Sequence, residues 1–151
     1  MPKRTVFLGL IIVALAACGK EPLPQKPQLL VDRDSIGFSQ EFGSGTFVGA
    51  KPQESLLITN GGLENLVINS VSLTGDSQFT IDGPSPCLNT DGGVPCEVKG
   101  KGRTFIRIIF APTQERNYSA SITINSNAEN APTKVVGVTG RGIAPNADGG
   151  Q

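Results

Sequence analysis

From Leu29 onward, apolar and polar residues alternate in short runs. In YSASITI (118–124), Tyr118, Ala120, Ile122 and Ile124 fall on one face of an extended chain, and Ser119, Ser121 and Thr123 on the other. In RTFIRIIFAP (103–112), the same period turns Ile106, Ile108 and Phe110 inward and Arg107 outward. Phe105 and Ile109 then share the outer face, so this strand is expected either to be covered on both sides or to sit in another register. Further strand-like runs are LLVDRDSIGF (29–38), ESLLITNGG (54–62), ENLVINSVSLTG (64–75), QFTIDG (78–83) and TKVVGVTGRG (133–142). Phe79 with Ile81, Leu66 with Ile68, and Leu57 or Ile58 complete the expected core. The spacing from Ile68 to Val71 breaks the two-residue period and predicts a bulge near Asn69-Ser70. Seven β-rich segments without a helix-period stretch indicate an all-β sandwich or barrel. The 19 glycines and 11 prolines fit many turns between short strands.

The first residues follow another pattern. Lys3 and Arg4 precede twelve residues, Val6 to Ala17, that carry no polar side chain. A spanning helix needs about 20 apolar residues. A basic start, a short apolar run and small residues at its end are the features of a cleaved secretory signal peptide. Leu15-Ala16-Ala17-Cys18 resembles the lipobox of bacterial lipoproteins. That resemblance implies diacylglycerol on the Cys18 thiol, cleavage after residue 17 and a bilayer as first partner. Two or three acyl chains anchor stably where one does not. Residues 18–28 then form the lipidated N-terminus and a short Pro-rich linker, expected to act as a spacer. The domain is expected at 29–143, and a flexible tail at 144–151. Gly19 stands where an aspartate retains lipoproteins of enteric bacteria at the inner membrane, so the expected place is the outer membrane of a bacterial cell envelope.

Two more cysteines, Cys87 and Cys96, lie in a glycine- and proline-rich loop. In an exported protein such a pair is most simply a disulfide. A metal site would need further ligands, and the chain has no histidine.

Thirteen basic residues balance thirteen acidic ones, which gives no field for nucleic acid. Without histidine there is no Ser–His or Cys–His pair, and the carboxylates are scattered. Asp32 and Asp34 could share a strand face and hold calcium weakly, although a solvated strand edge accounts for them as well. NTDGG (89–93) lacks the spacing of a calcium loop, and GSGTF (43–47) has no strand-to-helix context for a phosphate loop. KGKGR (99–103) reads as a solvated basic turn. No catalytic residue, metal ligand or cofactor is expected.

SLLITNGGLENLVINSVSLTGDSQFTI and, later, FIRIIFAPTQERNYSASITINSNAENAPTKVVGVTGRG resemble the ASH (Hydin-like) immunoglobulin-like domain. Its bacterial members are called choice-of-anchor D domains, and its architecture is related to the major sperm protein. The matching parts are Thr59-Asn60-Gly61, Leu66-Val67-Ile68, Phe79-Thr80-Ile81, Phe110-Ala111-Pro112-Thr113, Tyr118 to Ile124 and Gly140 to Gly142. Asn117 departs from the glycine often found before the tyrosine. The resemblance implies a seven-stranded immunoglobulin-like β-sandwich. Asn60-Gly61 is expected to supply the positive φ angles of a tight turn, Pro112 to end a strand, and Tyr118 to bury its ring with its hydroxyl at an edge. The expected function is a non-enzymatic, envelope-anchored lipoprotein that binds another envelope protein or serves as a structural module. The alternative is a surface adhesin or carbohydrate-binding module, which the absence of tryptophan disfavours.

Overall fold

The computed structural model describes residues 22–38, 45–82 and 96–144. Cys18 and the signal segment, Cys87, the 89–93 turn and the tail from residue 145 lie outside the described residues.

Among the described residues ten strands follow one another: β1 (Leu29–Val31), β2 (Ser35–Gly37), β3 (Thr46–Phe47), β4 (Gln53–Asn60), β5 (Leu66–Gly75), β6 (Phe79–Asp82), β7 (Cys96–Val98), β8 (Arg103–Phe110), β9 (Asn117–Ser126) and β10 (Thr133–Ile143). One sheet has the order β1-β4-β8-β6, and the other β2-β10-β9-β5-β7, with β3 also on β10. Pairing is antiparallel except where β2 and β3 run parallel to β10. This is the all-β, immunoglobulin-like sandwich. The short strands β3 and β7 add to the seven expected segments, and the 29–38 segment is divided.

That division has a clear cause. Leu29 faces the core from the first sheet and Ile36 from the second, so the chain must change sheets between them. It crosses at Asp32–Asp34, where the Asp32 amide donates to Leu57 O and Gly137 N to Asp34 O.

The long strands follow the alternation. Ile106, Ile108 and Phe110 on β8, and Tyr118, Ala120, Ile122 and Ile124 on β9, are buried, as are Leu56 and Ile58 on β4. Phe105 and Ile109 are half-buried on the outer face of β8, so the register holds with partial cover. The expected bulge lies between Ile68 and Ser70.

Phe110 sits at the centre of the core. Its ring stacks on Phe79 at 4.7 Å, meets Phe38 at 5.5 Å and takes Tyr118 edge-on at 5.4 Å. A Cβ on Gly140 would lie 2.6 Å from that ring, so the closing Gly-x-Gly makes room for an aromatic side chain.

Two expectations are corrected at the β4–β5 connection. Neither Asn60 nor Gly61 has positive φ. Asn60 is the last residue of β4 and fully buried, and the glycines after it serve close approach: a Cβ on Gly62 would lie 2.0 Å from Lys26 O. What approaches is the Pro-rich segment, which is more than a spacer. Leu63 N donates to Pro24 O, Glu64 N to Gln25 O, Gly61 N to Gln28 O and Glu129 N to Pro27 O. The packed part of the domain therefore begins at Pro24 rather than Leu29.

Candidate binding surfaces

At the β4–β5 end, Asn60 joins three segments. Its side-chain Nδ2 donates to Glu64 O at 2.7 Å, Val98 O at 3.1 Å and Lys99 O at 3.3 Å. Its Oδ1 accepts from Gln28 N at 3.2 Å and Gly62 N at 3.0 Å. One neutral amide thus supplies both kinds of partner to backbone groups that loops alone would leave unpaired. The basic turn after β7 closes against it: Lys101, with φ of 61°, donates its amide to Gly62 O.

Tyr118 organises the opposite end. Its hydroxyl accepts from Gln114 N at 2.9 Å and Thr113 N at 3.3 Å and donates to Gln114 O at 3.1 Å. The Arg116 guanidinium lies 3.8 Å from the ring centroid and bonds Asp76 Oδ1 at 2.9 Å, and Asp76 Oδ2 accepts from Ser119 N at 2.7 Å. The Arg116 bond, with the Ser119 amide, holds the Asp76 carboxyl below the usual carboxylate range. Burial pushes the Tyr118 phenol up, but the bonds from Thr113 and Gln114 outweigh it and bring it lower. Nearby, Glu115, Arg116, Asn117, Arg141, Gly142 and Ile143 line a shallow polar depression.

The strand edges differ in how they are finished. On β1, the Asn130 side chain takes both backbone groups of Leu29, with Leu29 N to Oδ1 at 2.8 Å and Nδ2 to Leu29 O at 2.9 Å. This side chain stands where a further strand would pair. On β5, β7 covers only Leu66 to Ile68. From Ser70 to Gly75, β5 pairs with β9 on one side, and among the described residues no strand pairs on the other. Along this edge Val71 and Leu73 are half-buried against the core, while Ser72 and Thr74 are exposed.

Asp32 and Asp34 do not form a joint cation site. Asp32 Oδ1 accepts from Leu57 N at 2.9 Å and its Oδ2 from Arg33, whereas Asp34 bonds Lys134 Nζ at 2.6 Å. Cys96 opens β7 opposite Ile68 and packs against the core. Sequence reasoning identified the Tyr118 corner but missed the roles of Asn60 and Asn130. Their only sequence signal is an asparagine at a strand end or in a turn.

The fold is that of ASH/PapD-like immunoglobulin-like sandwiches. An ASH / PapD-like domain of human CEP192 superposes with a TM-score of 0.54 at 15% identity, covering 92% of this chain and all of that domain. A Porphyromonas gingivalis W83 protein of unknown function gives 0.57 at 18%, over 80% of this chain and 49% of its own. The periplasmic chaperone SfaE gives 0.51 at 15%, over 78% and 60% respectively. No family model and no curated protein sequence matches the chain.

Proposed function

We propose that this chain is a non-enzymatic lipoprotein of a bacterial envelope, anchored through acylated Cys18, whose sandwich binds another envelope protein by strand pairing. The open edge of β5 carries this reading. Six residues, Ser70 to Gly75, have a neighbouring strand on one side only among the described residues. A partner strand laid there would pair with free backbone groups, and its alternate side chains would cover Val71 and Leu73. The finish of β1 by Asn130 adds support, since it leaves that edge closed to such pairing. The resemblance to sandwich domains fits a binding module, although function resides in the site and not in the fold.

The Cys87–Cys96 disulfide belongs to the same proposal, because it would pin β7 beside the start of that edge. The test is a photo-crosslinking residue at Ser72 in intact cells, compared with one at exposed Lys51. A discrete adduct at position 72 and none at 51 supports the reading. Equal adducts at both positions, or none at 72, contradict it.

A further inference from the structure

Four large apolar side chains stand exposed among the described residues: Leu23, Leu30, Leu63 and Val135. Three of them gather at the Asn60 end. Leu63 N is bonded to Pro24 O, next to Leu23, and a Cβ on Gly61 would lie 2.9 Å from Leu30 Cδ1. Val135 lies on β10, in the other sheet, and among the described residues the Tyr118 end carries none. Isolated exposed leucines are ordinary, but three around one tip form a patch. Exposed Lys99 and Lys101 flank it on the turn that Asn60 and Gly62 hold. Of the carboxylates nearby, Glu129 is engaged by Lys26 at 2.7 Å and Glu97 by Asn65, which leaves Glu64.

The covalent tether enters the domain at this same end. Five residues separate Cys18 from Pro24, so the two are at most about 20 Å apart however the chain runs. The Tyr118 end lies further off by the length of β9 and β10, strands of 10 and 11 residues that span about 33–36 Å. An anchor on Cys18 therefore keeps the Asn60 end within about 20 Å of the bilayer at any tilt, whereas the other end comes near it only if the sandwich lies flat.

We propose that the Asn60 end is a membrane-docking face. Leu23 and Leu63, with Leu30 at the rim, enter the interface between headgroups and acyl chains, and Lys99 and Lys101 meet the phosphates of anionic lipids. The occupant is a phospholipid surface, and the proposal rests on the acylation of Cys18 given above. Docking stands the sandwich on end. The Tyr118 corner then points away from the bilayer, and the β5 edge faces sideways where a partner strand can reach it.

The test uses the acylated chain on vesicles of phosphatidylethanolamine and phosphatidylglycerol, treated with a water-soluble lysine-acetylating reagent and read by mass spectrometry. Lys51, just before β4 at the far end, is the internal reference. Lys99 and Lys101 are expected to react several-fold more slowly relative to Lys51 than they do in two variants: Leu63→Gln, and a chain with a long Gly-Ser insertion after Glu21. Both variants keep Cys18 and should stay on the vesicles. Ratios unchanged in both variants would overturn docking and leave the anchor standing. A wild-type chain that carries no acyl group and does not sediment with vesicles would overturn the anchor and docking together.

Discussion

The two ends of the sandwich solve the same problem with different chemistry. At the β4–β5 end, one fully buried neutral amide, Asn60, joins residues 28, 62, 64, 98 and 99. At the other end, the Tyr118 hydroxyl joins the β8–β9 connection, with Arg116 and Asp76 as an exposed ion pair around it. Loss of a buried amide leaves several backbone groups without water or partner, which is costly. Loss of a half-exposed charge leaves groups that water can reach. The first end should therefore be brittle, and the second tolerant and sensitive to pH.

Asn60 tests the brittle end most strongly. Asn60→Ala should destabilise the domain by about 3 kcal/mol in urea unfolding, since it takes the side-chain partner from the Glu64 and Val98 carbonyls and the Gly62 amide. Asn60→Asp should be worse, because a carboxylate would face three carbonyl oxygens. A cost near zero for either would show that water replaces the amide and would erase the contrast between the ends.

A second test concerns the strand that Asn60 helps to hold, β7. If Cys87 and Cys96 are paired, the double change to serine should cost roughly 2.5 kcal/mol, by the chain-entropy model for so short a loop. Intact mass should show both thiols blocked before reduction.

At the tolerant end, Tyr118→Phe keeps the ring among Phe110 and Arg116 and removes only the hydroxyl. It should lower Tm by roughly 5 °C, less than any change at Asn60. The smallest effect belongs to Asp76. Its folded pKa is depressed by Arg116 and the Ser119 amide. Its contribution is therefore complete above the unfolded carboxylate pKa of about 4 and is lost as pH falls through the lower folded value. Asp76→Asn should flatten stability against pH in that acid window, with its modest cost present at neutral pH and vanishing in acid, where the wild-type chain has lost the same contribution. A larger effect in acid than at pH 7 would contradict this assignment.

The sequence revealed most of what the long strands do, because alternation on β8 and β9 follows directly from having one face in the core. Tyr118 was legible for the same reason, as the aromatic at the head of an alternating run. Asn60 was misread. Followed by two glycines, it looks like a turn residue, and only the arrival of residues 24–28 from far along the chain makes it a buried hub. The same long-range contact hid the packing of the Pro-rich segment. Strands β3 and β7 have two and three residues, too few to show any period, and both exist because a long strand offers them an edge. Asn130 blunts β1 from 101 residues away, which no local pattern reports.

In the proposed reading the module is held at one end, and that placement depends on Cys18. Cells expressing the chain should be labelled with radioactive palmitate alongside cells expressing Cys18→Ser. The account predicts label in the wild-type protein and none in the variant. Equal label in both, or none in either, would contradict the anchor and the orientation built on it.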